Sequence, residues 1–265
     1  MPLREALSEI ERRLARADVE TPRVDAEWLV AHVLAVSRTR IYEHAEVDAR
    51  ALEPLVRRRE QREPLAYVLG EWGFRRLTLK VDDRALVPRP ETETVVERAL
   101  ALIHDLDSPR VLDVGVGSGA IALAIVDEQP TARVTGVDTS AAALDLAREN
   151  AQRLGVEVEL RRGGLETAAE GWDLVVANPP YVEQSALSAL QPELQWEPHQ
   201  ALVDTGLHER LTRVARTTWL VLEVGDDQAR EVSEALAARG YRDIRITRDL
   251  TGTERVVEGR SPEQR

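Results

Sequence analysis

Cysteine is absent, which excludes disulfides, thiolate-bound metals and a cysteine nucleophile. Lysine is almost absent: Lys80 is the single one among 35 basic residues, a bias we attribute to genome composition. No apolar run approaches the ~18 residues of a membrane-spanning helix. The start, Met1-Pro2-Leu3-Arg4-Glu5, leads into a charged amphipathic segment rather than a signal peptide. Basic charge is also in deficit. The net charge of -12 argues against tight non-specific binding of nucleic acid, which needs a basic face. There is no internal repeat, no low-complexity stretch and no long exposed apolar stripe. A cytoplasmic monomer without membrane or direct nucleic-acid partners is therefore expected.

What is present fits one large domain plus a small one in 265 residues. Leu3, Ala6, Leu7, Ile10 and Leu14 recur at helical spacing. Thr21-Pro22 ends that helix, Asp25 opens a second, and Asp48 can cap a third. Residues 1–70 thus read as a small helical bundle. Within it, Arg57-Arg58-Arg59 is expected to be a solvated face. Residues 71–87 change to a period of two through Trp72, Phe74, Leu77, Leu79 and Val81, the pattern of a β-hairpin linker. From 88 to 265 apolar strands alternate with helices, which predicts a mostly parallel sheet.

Three signals in that last part point to chemistry. Asp113-Val114-Gly115-Val116-Gly117-Ser118-Gly119 joins a strand to a helix. Its glycines let backbone approach a ligand closely. The Gly-x-Gly-x-Gly spacing is neither that of a dinucleotide site nor that of a P-loop, which would also need a lysine. Asp138 ends the next strand, where a carboxylate can accept both hydroxyls of a ribose. Asn178-Pro179-Pro180-Tyr181 follows the buried run Asp173-Leu174-Val175-Val176-Ala177. Asn offers an amide, the prolines leave carbonyls free to accept, and Tyr supplies a flat face. Alone, the tetrapeptide is equally a strand-ending turn, and the glycine loop a tight turn. Together the three point to S-adenosyl-L-methionine, with S-adenosyl-L-homocysteine as product, and to a planar acceptor bearing an NH2 group. No metal cluster is legible, and the five histidines show no catalytic spacing.

Further motifs in the same order make the chain resemble the PrmC/HemK family, protein-(glutamine-N5) methyltransferases of peptide chain release factors. They are Arg62-Glu63-Pro64-Leu65-Ala66-Tyr67-Val68-Leu69-Gly70, Leu86-Val87-Pro88-Arg89-Pro90-Glu91-Thr92-Glu93, Glu197-Pro198, Leu222-Glu223-Val224-Gly225 and Asp249-Leu250-Thr251-Gly252-Thr253-Glu254-Arg255. The resemblance implies a helical N-terminal domain that helps hold a class-1 release factor. It also implies a Rossmann-like, seven-stranded class I S-adenosylmethionine-dependent methyltransferase domain. It further implies transfer of a methyl group to the glutamine of a Gly-Gly-Gln motif, in support of translation termination. Asn178, Pro179 and Tyr181 then carry catalysis, and with Pro180 bind the substrate. Gly115, Val116, Gly117, Ser118, Gly119, Asp138, Leu165 and Asn178 bind the cofactor. Val116 replaces the family's usual Thr, and Gly163-Gly164-Leu165 replaces a frequent Asp-Trp pair, so weaker cofactor binding is expected. Two rivals share the Asn-Pro-Pro-Tyr logic: a glutamine methyltransferase of a ribosomal protein, and a DNA adenine-N6 methyltransferase acting on a flipped base.

Overall fold

A computed structural model describes residues 1–185 and 190–262. The described chain divides into two compact units. One holds Met1–Glu71 together with Leu190–Trp196, and the other holds the rest.

The first unit is helical: α1 (Leu3–Arg16), α2 (Pro22–Leu34), α3 (Ala49–Glu60) and the short α4 (Leu65–Leu69). The apolar stripe of α1 is buried along its length, and Leu7, Leu14, Leu29 and Ile41 are fully enclosed. Each such side chain contributes about 1.5–3 kcal/mol. Asp48 caps α3 by accepting the Arg50 N–H at 2.8 Å.

Two expectations need correction. Thr21-Pro22 begins a helix rather than only ending one, so α2 starts three residues before Asp25. Proline suits the first helical position because it has no N–H to leave unsatisfied. Thr21 Oγ1 donates to Asp25 Oδ1 at 2.8 Å, and the Asp25 N–H returns a bond to the Thr21 carbonyl at 2.9 Å. Nor is the arginine run a solvated face. Only Arg57 is exposed. Arg58 grips Glu63 and donates to the carbonyls of Tyr67 and Val68. Arg59 is buried between Asp25 at 2.7 Å and Glu193 at 2.8 Å. Arg62 adds a second bond to Glu193 at 2.7 Å.

The hairpin β1 (Glu71–Phe74) and β2 (Leu77–Lys80) forms its own two-stranded sheet. Beyond it lie β3 (Arg110–Val114), β4 (Arg133–Asp138), β5 (Glu159–Arg162), β6 (Trp172–Ala177), β7 (Thr217–Glu223), β8 (Arg242–Arg248) and β9 (Glu254–Arg260). They make one sheet in the order β5-β4-β3-β6-β7-β9-β8, parallel except for β9, which runs against both its neighbours. The helices are α5 (Glu93–Ile103), α6 (Ala120–Glu128), α7 (Ala141–Leu154), α8 (Leu207–Val214) and α9 (Ala229–Ala238). Val111, Leu112, Leu174 to Ala177 and Leu220 to Leu222 are all fully buried. Strands covered on both faces need such unbroken apolar runs.

The register places the site. β3 has β4 on one side and β6 on the other, so strand order reverses there, and ligands of open α/β sheets bind at such a point. Val114 pairs with both Val137 and Ala177. One residue further on, the glycine loop and Asn178 leave the sheet side by side, with Asp138 ending β4 next to them.

Candidate active site

A cavity of about 460 Å³ opens at this carboxyl edge. Of the residues singled out in the sequence, Gly115, Val116, Gly117, Ser118, Asp138, Leu165, Asn178 and Pro180 line it. Gly119, Pro179 and Tyr181 stand off its wall.

The glycine loop is held by backbone. The N–H groups of Gly115 and Val116 both donate to the Val137 carbonyl, at 2.8 and 2.9 Å. Gly115 and Gly117 adopt φ of 81° and 54°, the left-handed region that favours glycine. Gly119 caps α6, where an added Cβ would come within 2.8 Å of Leu123 Cδ1. Val116 turns its side chain onto β4, where it fills the space above Gly136.

Asp138 braces two elements: one oxygen accepts the Gly117 N–H at 3.0 Å, the other the Ser140 N–H at 2.9 Å. Each oxygen keeps lone-pair capacity for a further donor. Asp113, beneath the loop, accepts the Ala122 N–H at 3.1 Å through Oδ2, while its buried Oδ1 has no partner among the described residues. Burial pushes its carboxyl up to about 7, with the Ala122 N–H acting the other way and the nearby Asp138 charge adding to the rise. The far wall carries Gly163, Gly164, Leu165 and Glu166, and Glu166 accepts the Gly164 N–H at 2.8 Å. Glycine backbone, a strand-ending carboxylate and apolar walls fit a nucleoside joined to a small charged chain.

At the other end, Asn178 Nδ2 donates to Thr92 Oγ1 at 3.1 Å. The Tyr181 ring packs on Gly225, where an added Cβ would lie 2.8 Å from Tyr181 Cδ2. Burial, first, raises the phenol of Tyr181 above its ordinary range. Gln228 links the two segments, accepting the Gly225 N–H at 3.0 Å and donating to the Tyr181 carbonyl at 3.3 Å. Arg255 pairs with Asp249 and Asp226 and donates to the Val224 carbonyl. The segment with Pro88 and Pro90 is fastened by buried Glu197, which accepts the Val87 N–H at 3.0 Å and pairs with Arg89.

Sequence reading names Thr92, Glu197 and Glu223 within motifs, and Thr92 as a possible helix start, but gives none of them a part in the site. Glu223 ends β7 at 1% exposure, and its Oε2 has no partner among the described residues. Burial pushes it up to about 7. The Thr92 hydroxyl, Arg255 and the Asn178 amide pull it down, and Glu91 adds to the rise. One signal was available: a carboxylate closing the apolar run Trp219-Leu220-Val221-Leu222 seldom goes to the interior without a task.

Two family models match the chain: "PrmC N-terminal domain" over residues 5–70 and "Methyltransferase small domain" over residues 97–218. Among curated relatives, a release factor glutamine methyltransferase of Xylella fastidiosa (strain Temecula1) is 38% identical, covering 94% of this chain and 97% of the relative. One of Deinococcus radiodurans is also 38% identical, covering 98% of this chain and 99% of the relative. Among solved structures, the hMettl16 catalytic domain in complex with MAT2A 3'UTR hairpin 6 aligns with a TM-score of 0.57 at 14% identity, over 70% of this chain and 76% of that one. That likeness concerns fold alone, and the fold is that of class I methyltransferases.

Proposed function

The chain belongs to the release factor glutamine methyltransferase family, and from that premise we propose the reaction it carries out. A methyl group moves from S-adenosyl-L-methionine to the side-chain amide nitrogen of the glutamine in a Gly-Gly-Gln motif of a class-1 release factor. The observation that supports this most is the meeting of Gly115 to Ser118, Asp138 and Asn178 around one cavity. The helical unit would hold the release factor. The substrate is a protein rather than nucleic acid, and the enzyme acts in the cytoplasm as a monomer.

Gly115, Val116, Gly117 and Ser118 would hold the cofactor through backbone while Gly119, off the wall, shapes their turn, and Asp138 would hold it through its ribose and Leu165 through its base. When bound, the cofactor supplies a methyl group activated on a sulfonium. An amide nitrogen is a weak nucleophile because its lone pair is shared with the carbonyl. Asn178 Oδ1 and the Pro179 carbonyl accept the two N–H groups of the substrate glutamine. Such acceptors favour the positive charge that builds on nitrogen during attack. Tyr181, braced on Gly225, fixes the plane of the amide. Aligned positioning of this kind supplies at most ~7–11 kcal/mol of the barrier.

The test is label transfer from methyl-labelled cofactor to a full-length class-1 release factor, to the same factor with its Gly-Gly-Gln glutamine changed to alanine, and to duplex DNA. Label on the first alone is expected. Label on DNA, or on the alanine variant, would overturn the reading.

A further inference from the structure

Asn178 can serve as described only if its oxygen, not its NH2 group, faces the substrate. A carboxamide is nearly symmetric in shape, so something must choose between its two orientations. We propose that Thr92 and Glu223 are positioning residues that lock the Asn178 carboxamide with Oδ1 toward the substrate. The inference rests on the methyl-transfer reading above and concerns how its acceptor is set.

Asn178 and Glu223 each follow a residue of the pair Ala177 and Leu222 on β6 and β7, and both the Thr92 hydroxyl and the Asn178 amide bear on the Glu223 carboxyl. Thr92 is 4% exposed, lines the cavity, and sits in the turn Pro90–Thr92 that leads into α5. Its Oγ1 accepts from Asn178 Nδ2 at 3.1 Å. A hydroxyl has a single hydrogen, and the Glu223 carboxyl, which the Thr92 hydroxyl pulls down, is an acceptor that can take it. While Glu223 is ionised it can only accept, so it draws the Thr92 hydrogen to itself. The Thr92 lone pairs then face Asn178, and only the NH2 group of Asn178 can meet them. Protonated Glu223 reverses the chain. It donates to Thr92, whose hydrogen turns to Asn178 and suits the flipped amide. The substrate's N–H groups would then meet an NH2 group, donor against donor.

Oε2 of Glu223, buried without a partner among the described residues, lets the carboxyl change state without breaking another bond. The groups facing it are Arg255 from β9, Glu91 from the turn before α5 and Tyr181 from the segment after β6. His208 of α8 meets its backbone carbonyl through Nε2 at 2.7 Å. Burial dominates over these and holds the carboxyl near 7, inside the working pH range. The active form is the ionised one, so kcat/KM for the release factor should rise with pH through about 7 and level off above it.

The experiment compares wild type with Thr92→Val, Thr92→Ser and Glu223→Gln. Thr92→Val should lower kcat/KM by roughly 10–100-fold with cofactor Kd unchanged, within the range for loss of a preorganised polar contact. Thr92→Ser should restore most of it. Glu223→Gln should abolish the acid limb of the pH profile whatever its activity. A second readout needs no substrate: in ¹⁵N-labelled protein the Asn178 side-chain NH2 signals should titrate near pH 7 in wild type and stay flat in Glu223→Gln. Wild-type turnover by Thr92→Val, no rescue by serine at equal Tm, or an acid limb or NH2 titration persisting in Glu223→Gln would each overturn the lock. If wild type fails to methylate any release factor while its Asn178 signals titrate as stated, the reaction is misassigned and the lock stands.

Discussion

In the helical unit, buried Asp25 and half-buried Glu193 meet Arg59 from two sides, and Arg62 closes on Glu193 as well. At the carboxyl edge of the sheet, Asp113 and Glu223 are buried as deeply, yet each keeps one oxygen without a partner among the described residues. The two regions treat the same chemical group in opposite ways. Pairing with guanidinium satisfies a carboxylate and makes it structural. Burial without an opposite charge in contact keeps the proton within reach of neutral pH. The difference marks where the molecule holds its shape and where it keeps a group poised.

Arg59→Ala should show the contrast most strongly. It leaves buried Asp25 without its cation while Glu193 keeps Arg62, which should cost about 3–5 kcal/mol of stability, as breaking a buried pair does elsewhere. Cofactor affinity should hardly change, since the cavity is lined by residues of the other unit. Thermal unfolding and a cofactor titration on the same variant check both halves. Asn178→Ala is the mirror image, with a loss on the order of 10²–10³ in kcat and a Tm close to wild type, measured by single-turnover transfer and by calorimetry.

Smaller, and opposite in sign between the regions, is the dependence of stability on pH. Asp113 and Glu223 have folded-state pKa values raised to about 7. Between about 4 and 7 the folded chain holds protons that the unfolded chain has released, so stability should fall as pH rises through that window and then level. Asp113→Asn should flatten part of this slope in urea unfolding at a series of pH values. Glu53 of the helical unit behaves the other way. Its hydrogen bond to Arg13, then that to Arg57, lowers it to about 2, so its contribution is present at neutral pH and is lost only as pH falls from about 4 toward 2. The smallest effect should be Asp48→Ala, which removes the cap of α3 for about 1 kcal/mol and leaves turnover unchanged. A matching loss of kcat would blur the separation of the two regions.

Much of this was legible in the sequence because local pattern carried it. The helical spacing of Leu3 to Leu14, the apolar runs of β3, β6 and β7, and the Ser140 cap of α7, accepting the Ala143 N–H at 3.2 Å, are all decided by near neighbours. So was the meeting of the glycine loop, Asp138 and Asn178, because a parallel sheet delivers its strand ends to one edge. The arginine run was misread because consecutive helix positions point to different faces, and Arg59 finds Asp25 34 residues away. Thr92 stayed silent for the same reason, since its bond to Asn178 spans 86 residues. No spacing rule reports which buried acid will lack a partner. That depends on what the packed sheet leaves beside it.

The segment Leu190–Trp196 has a consequence for how such a gene could be cut or recombined. The chain passes between the two units three times, and Glu193 belongs to the helical unit although it is encoded far downstream of it. A gene fragment ending at codon 71 would encode the four α-helices α1 to α4 of that unit but not the acid that Arg59 and Arg62 share. Exchange of the amino-terminal part between relatives would therefore have to carry a short downstream stretch with it, and the two pieces would be inherited as one trait despite lying apart in the reading frame.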